Sequence, residues 1–144
     1  MDNRELSLKL LVVLSKAHKV IMDKAMQDMK RNGLSSAEFS VLELLYHKGR
    51  TPLQRIGDKI LVTSGSVTYT VDKLEEKGFL MRVACPDDRR VTFAEITPLG
   101  VELFDRIFPI HGEVIESIME GLTSEEKQTA ITLLKKLGHT AQGS

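Results

Sequence analysis

Polar side chains lie along one face of a predicted helix near the middle of the chain. The apolar positions of this helix have the i, i+4, i+7 spacing of a buried face: Val67, Val71 and Leu74. At about 100° per residue, Ser66, Tyr69 and Lys73 then fall on the opposite face. A hydroxyl, a phenol and a cation on one exposed helix face are suited to contact the base edges and phosphates of DNA.

A charged hairpin is predicted directly after this helix. Residues 79–84 and 91–96 are rich in β-branched and apolar residues, and the polar segment from Cys85 to Arg90 between them is turn-forming. An arginine at the tip of a hairpin can enter the DNA minor groove, whose narrow stretches concentrate negative potential. Asp88 is placed to orient Arg90 through a charge-assisted hydrogen bond. An isolated Asp-Asp-Arg-Arg sequence would more simply be a solvated turn, but its position after the helix favours a role in DNA binding.

A second short helix precedes the first across a tight turn. Thr51-Pro52 predicts its start, with proline at the first helical position. Gly57, in its middle, indicates a second helix crossing closely there. We predict a turn over residues 61–64, with Thr63 or Ser64 as the N-cap of the following helix, which Gly78 ends. Two short helices joined by such a turn are typical of a helix-turn-helix unit.

Longer helices are predicted on both sides of this unit. The helix over residues 5–30 is apolar on more than one side, which fits either a central core helix or a helix shared with a second subunit. Ser35-x-x-Glu38 is a capping box that opens the next helix. Thr97-Pro98 opens a later helix that Pro109 should kink or interrupt. A final helix is predicted from the capping box Thr123-x-x-Glu126 to Gly138, with a frayed tail over residues 139–144.

Bulk composition indicates a single globular domain. The 144 residues are 42% hydrophobic and 28% charged, and no apolar run approaches the roughly 18 residues of a membrane span. The first residues lack the pattern of a secretory signal, and one cysteine, Cys85, excludes an internal disulfide framework. We therefore expect a cytoplasmic protein without a membrane partner.

The net charge is zero, which argues against the basic domain that DNA-binding proteins often have. The charges are unevenly distributed, however. Residues 1–49 and 50–90 each carry 8 Lys/Arg against 6 Asp/Glu, whereas residues 91–144 carry 4 against 8. A mildly basic front and an acidic back predict modest non-specific affinity for DNA, with specificity resting on shape and a few contacts.

Three segments resemble MarR-family transcriptional regulators. Residues 85–100 (CPDDRRVTFAEITPLG) resemble the family's wing, with its D-x-R, Ile-Thr and following glycine. Residues 64–78 resemble its recognition helix, and residues 34–42 resemble its second helix. The first helix and the wing look closest to the branch that responds to quinones or catechols.

The resemblance implies a mainly α (α+β) fold, a winged helix-turn-helix in a homodimer that usually represses its target genes. Residues 34–97 would form the DNA-binding lobe, and residues 1–33 and 98–140 the dimerisation helices. Arg89 and Arg90 would lie at the wing tip, where Arg90 enters the minor groove and Asp88 is its acidic partner. The recognition-helix positions implied to contact the major groove are Ser64, Ser66, Thr68 and Tyr69. A small-molecule effector would bind between the dimerisation helices and the lobe.

Other residues allow more than one interpretation. Arginines near Cys85 would favour a reactive thiolate, although a thiol at a strand end is more simply tolerated for packing. The scattered histidines predict no metal site. His18 and Tyr46 could line a ligand cavity, but partly exposed side chains are the commoner outcome. No nucleotide-binding, cofactor or nucleophile motif indicates an enzyme, and the alternative to a regulator is a helical protein-interaction module that docks through the winged helix.

Overall fold

Six helices and a three-stranded antiparallel sheet make up the part of the chain that the computed structural model describes, residues 1–60 and 66–143. The order is α1 (Asn3–Arg31), α2 (Ser36–Lys48), β1 (Thr51–Pro52), α3 (Leu53–Lys59), α4 (Val67–Glu76), β2 (Leu80–Ala84), β3 (Thr92–Ile96), α5 (Pro98–Ile118) and α6 (Ser124–Gln142). The sheet order is β1-β3-β2. The predicted fold class, mainly α with a small hairpin after a helix-turn-helix, is confirmed.

Local capping signals set three helix starts as predicted. At α2, the Ser35 hydroxyl accepts a hydrogen bond from the Glu38 amide at 3.0 Å, and the Glu38 carboxylate accepts one from the Ser35 amide at 2.8 Å. Thr123 and Glu126 repeat this reciprocal pair at α6. Thr97 caps α5 by accepting from the Gly100 amide. These bonds satisfy amides that have no partner inside their own helices.

The predicted helix start at Thr51-Pro52 was wrong. These two residues form β1, in which Thr51 pairs with Ala94 and Pro52 with Phe93. Pro52 occupies the N-cap position of α3 and makes no side-chain capping bond, while the Thr51 hydroxyl donates to the Gly49 carbonyl. Proline is compatible with an edge strand because an edge position leaves its missing N–H unneeded. The third strand therefore joins the hairpin to the segment that enters α3.

Ser66, and not Thr63 or Ser64, is the N-cap of α4, and its hydroxyl accepts from the Tyr69 amide at 3.4 Å. The predicted turn over residues 61–64, with Thr63 and Ser64, lies outside the described residues. The crossing predicted at Gly57 is present, since a Cβ there would lie 3.6 Å from Cγ2 of Val67. That distance is an ordinary contact, so the two helices pack closely without requiring a glycine.

The C-terminal helices differ from the predictions at two points, since Pro109 does not interrupt its helix and the last helix does not end at Gly138. A kink at Pro109 stays a prediction. The helix α5 runs without interruption from Pro98 to Ile118 with Pro109 inside it. Likewise α6 does not end at Gly138 but continues to Gln142, so residues 139–142 are helical and not a frayed tail. Glycine in a helix interior costs only about 1 kcal/mol against alanine, which favourable neighbours can offset.

The buried core lies around α2. Phe39, Val41 and Leu42 of this helix are fully buried, as are Val71 of α4 and Phe104 of α5. By contrast, residues 3–20 of α1 are all exposed, and α6 contains no buried residue. The core thus belongs to the helix-turn-helix, the sheet, the end of α1 and the first part of α5.

Candidate nucleic-acid interface

The exposed face of α4 carries the polar side chains that the sequence placed there. Val71 and Leu74 are fully buried, whereas Ser66, Thr68 and Tyr69 are exposed, with 63% of Tyr69 accessible. The half-buried Lys73 holds its Nζ 5.5 Å from the Tyr69 ring centroid and 3.6 Å from a Glu76 carboxylate oxygen. The helix orientation is as predicted, and Ser64 lies outside the described residues.

An arginine on β2 fixes the outer side of α4. Arg82 donates to Asp72 through Nη2 and to Glu75 through Nη1, both at 2.6 Å, and its backbone amide donates to Glu75 at 3.2 Å. The hydrogen bond to Asp72, helped by Glu75, raises the pKa of Arg82 above its ordinary value. Two carboxylates one helical turn apart therefore hold α4 against the hairpin. The cluster of Arg82, Asp72 and Glu75 was not predicted from the sequence.

An ion pair ties the C-terminal end of α4 to α2. Lys77 Nζ lies 2.7 Å from a Glu38 carboxylate oxygen, and the Glu38 side chain is 10% exposed. Burial acts to raise the pKa of Glu38, but the hydrogen bond from Lys77 and that from the Ser35 amide outweigh it, so the pKa lies below its ordinary value. The capping carboxylate of α2 therefore also positions α4.

The wing tip presents one arginine to solvent in a fixed orientation. Asp88 Oδ1 accepts from the Arg90 backbone amide at 3.0 Å and from Nε at 3.1 Å, and Oδ2 accepts from Nη2 at 3.3 Å. The Arg90 side chain remains 90% exposed. The hydrogen bonds from the Arg90 side chain, and to a smaller extent the one from its backbone amide, hold the pKa of Asp88 below its ordinary value. Asp88 orients Arg90 as predicted, and the neighbouring Arg89 is also exposed.

Further contacts join the wing to α3 and β1, and the sequence gave no local signal for them. The Gln54 amide donates to the Arg90 carbonyl at 3.2 Å. The Arg50 guanidinium lies 4.8 Å from the ring centroid of Phe93 on β3. The residues involved are separated by 36 and 43 positions, so only the fold brings them together.

The remaining predicted site residues lie apart from this surface or carry no further evidence. Cys85 is half-buried, and its backbone amide bonds the Val91 carbonyl across the hairpin. His18 is exposed on α1. The Tyr46 hydroxyl donates to Asp105 at 2.5 Å, which raises the pKa of Tyr46. The ligand and redox roles of these residues stay predictions.

A buried acid–histidine pair joins α1 to α5. Asp28 Oδ2 lies 2.7 Å from His111 Nδ1, both side chains are less than 10% exposed, and the Phe39 ring packs 4.5 Å from the imidazole. Sequence reasoning treated His111 as one of four scattered histidines because its partner is 83 residues away. Within residues 1–60 and 66–143 there is no cluster of histidine, cysteine and carboxylate side chains that could hold a metal ion. No described helix is long and apolar enough to cross a membrane.

Comparisons with known proteins agree with this geometry. The MarR family profile matches residues 34–92. The HTH-type transcriptional regulator MhqR of Bacillus subtilis is 51% identical over 138 residues, which cover 96% of this chain and 95% of that protein.

Two solved structures share the fold. Sco3205, a MarR family transcriptional regulator from Streptomyces coelicolor in complex with DNA, aligns with a TM-score of 0.83 and 21% identity over 97% of this chain and 89% of that one. Bordetella bronchiseptica BpsR, whose DNA binding is regulated by 6-hydroxynicotinic acid, aligns with a TM-score of 0.78 and 23% identity over 90% and 98%. Because MhqR is 51% identical to this chain and is matched along almost its whole length, the chain belongs to the MarR family of DNA-binding transcriptional regulators.

Proposed function

We propose that the protein is a homodimeric repressor that binds a pseudo-palindromic operator and is released by a small aromatic or electrophilic effector. The observation that carries the DNA-binding proposal is Arg90, which is 90% exposed at the wing tip and held there by Asp88. The hairpin that carries Arg90 is the next element after α4, whose exposed face carries Ser66, Thr68 and Tyr69. The helix would contact base edges in the major groove while Arg90 enters the adjacent minor groove.

Exposed apolar side chains support the dimer. Leucines and valines cover much of α1: Leu6, Leu8, Leu10, Leu11, Val12, Val13, Leu14 and Val20 are all at least 36% exposed. On α6, Ile131, Leu133, Leu134 and Leu137 are between 43% and 58% exposed. Contiguous apolar surface of this extent is uncommon on a monomer and marks an interaction site. A second copy would bury residues 1–33 and 98–140 in a joint helical bundle.

A two-fold dimer explains the form of the expected operator. Two copies of α4 related by a two-fold axis meet successive major grooves about 10 base pairs apart. The operator would therefore be an inverted repeat with half-sites at that spacing. The protein-interaction module considered from the sequence is not favoured, because the matched relatives are transcriptional regulators.

The effector proposal rests on a sequence resemblance to one branch of the family and on a solved structure with the same fold. The wing and first helix resemble the quinone- or catechol-responsive branch of the family, and BpsR responds to a hydroxylated aromatic acid. His18 and Tyr46 are the ligand-lining residues we propose, and Cys85 is the candidate for reaction with an electrophile.

Operator binding tests the central proposal. A labelled duplex from upstream of the gene is titrated with wild type, Arg90→Ala and Arg106→Ala, the last replacing an exposed arginine on α5 outside the DNA-binding lobe. We expect Arg90→Ala to weaken binding by about 1–3 kcal/mol, roughly 5- to 150-fold, while the control binds normally. All three should have the same mass by light scattering. Unchanged affinity of Arg90→Ala would instead favour a docking module.

The effector is tested on the same complex. Catechol and a benzoquinone are added to the wild-type complex and to that of Cys85→Ser. We expect the wild type and Cys85→Ser both to release DNA with catechol, which binds reversibly. Cys85→Ser should lose any response that requires reaction of the thiol with an electrophile. A fully quinone-responsive Cys85→Ser protein would remove Cys85 from the mechanism.

A further inference from the structure

A basic groove opens beside the wing, between the end of α2, β1 and α3. Its volume is about 730 Å³, and its apolar part is formed by Leu44, Pro52 and Val91. Four cationic residues also line it: Lys48, Arg50, Arg55 and Lys59. We call this feature the basic groove. No aspartate or glutamate is among the described residues that line it.

Among the residues described, the cations of the basic groove are not held in close ion pairs, although Asp58 lies on the same helix as Arg55 and Lys59. All four cations are exposed, and within residues 1–60 and 66–143 none of them forms an ion pair within 4.0 Å. The lysines and arginines at the ends of α4 and on β2 behave differently, since Lys73, Lys77 and Arg82 are each paired with a carboxylate. In a chain of zero net charge, four unpaired cations around one concavity create a local positive potential.

The basic groove is continuous with the wing. Val91 lines it and directly follows Arg90. Gln54 lines it as well and donates its amide to the Arg90 carbonyl at 3.2 Å. Arg50 lies over Phe93, which pairs with Pro52 across the β1–β3 ladder. A polyanion seated at Arg90 would therefore extend along the same surface to the groove cations.

We propose that the basic groove binds the DNA sugar-phosphate backbone next to the minor groove that Arg90 enters. This inference rests on the proposed DNA-binding function and adds contacts outside α4 and the wing tip. Exposed cations along an open surface are suited to bind the phosphates of a DNA strand. Such contacts fix the position of the protein on the duplex without reading its sequence. They also explain how a protein of zero net charge gains sequence-independent affinity. Gln54 then holds the wing arginine and the groove in one register.

Salt dependence of binding tests the inference. Arg55→Gln and Lys59→Gln each remove one groove cation from α3, and Lys136→Gln removes an exposed cation from α6 as the matched control. Each variant is titrated by fluorescence anisotropy with the operator and with an unrelated duplex at several salt concentrations. We expect the slope of log K against log salt to become less steep by about 0.9 for each lost phosphate contact. Affinity should fall for both duplexes alike, and the control should match wild type.

The outcomes separate this inference from the function on which it rests. Wild-type binding with unchanged slopes in both groove variants would overturn the basic groove as a DNA contact. Benzoate serves as a probe of a small-anion site: calorimetric binding of benzoate that only the groove variants lose, with unchanged DNA slopes, would overturn it too. If the wild type binds no duplex at all, the proposed function itself fails. Circular dichroism of each variant confirms that the fold is retained, as exposed positions allow.

Discussion

The junction between the wing and α5 makes a sharp test of the packing. Gly100, in the first turn of α5, has no room for a side chain, since a Cβ there would overlap the Phe79 carbonyl oxygen and lie 2.7 Å from Cγ1 of Ile96. The Phe79 carbonyl already accepts from the Thr97 amide at 3.0 Å, and the Thr97 hydroxyl donates to the Gly78 carbonyl at 2.6 Å. Backbone held by these bonds cannot retreat as a flexible side chain would. Gly100→Ala is therefore expected to strain the whole junction.

A second glycine of the same helix gives the matched control. Overpacking costs about 1–3 kcal/mol, and we take the upper value, about 3 kcal/mol, because the overlap is with backbone. Alanine gains roughly 1 kcal/mol over glycine in a helix. Gly100→Ala should therefore lower the free energy of unfolding by about 2 kcal/mol. At Gly112, a Cβ would meet no atom within 4 Å, so Gly112→Ala should gain the roughly 1 kcal/mol of helix propensity alone. The two variants should thus differ by about 3 kcal/mol, more than 100-fold in the unfolding constant.

Urea unfolding at one fixed protein concentration measures this difference, because the stability of the proposed homodimer would depend on concentration. The midpoint of Gly100→Ala should fall and that of Gly112→Ala should rise, with the slopes unchanged. A Gly100→Ala protein as stable as wild type would refute the close approach of α5 to Phe79. Equal destabilisation by both substitutions would show that the loss comes from α5 in general.

Ion pairs that hold α4 give two more predictions. The pKa of Glu38 is below its ordinary value of 4.5, so its pairing with Lys77 stabilises the fold above that pH. This contribution is lost as the pH falls through the lowered pKa. In Glu38→Gln, the free energy of unfolding should therefore depend less steeply on pH over this range. Arg82→Gln removes both bonds to Asp72 and Glu75 and should cost about 1 kcal/mol or less in a thermal melt, since the pairs are partly exposed. Its operator affinity, measured by anisotropy, should fall several-fold because only the backbone bond from residue 82 to Glu75 then holds α4 to β2.

Local chemistry made much of this fold predictable. Capping boxes at Ser35 and Thr123 act within four residues, so the sequence shows both partners. The hairpin strands were placed within one residue of their observed ends because β-branched runs flank a turn-forming segment. Asp88 and Arg90 were also paired correctly, since they are only two positions apart.

Contacts between distant segments were not predictable in the same way. Thr51-Pro52 has the pattern of a helix start, and only pairing with β3, more than 40 residues later, makes it a strand. Asp28 and His111 are ordinary surface residues by type, and burial between α1 and α5 makes them a pair. The link from Gln54 to the wing depends likewise on a tertiary contact. Sequence patterns predict the elements, whereas these polar links depend on how the elements pack.

Another set of polar contacts connects α5 to α4 and the hairpin. Through Thr97, the first turn of α5 is hydrogen-bonded to Gly78 and Phe79, the residues that end α4 and lead into β2. Arg82 of β2 in turn pairs with Asp72 and Glu75 of α4, so a chain of direct contacts links α5, the hairpin and α4. In the proposed homodimer, the spacing of the two α4 helices would follow the angle between the two α5 helices. A ligand that changes that angle need not touch α4 or the wing to move both copies of Arg90 out of register with successive grooves of DNA.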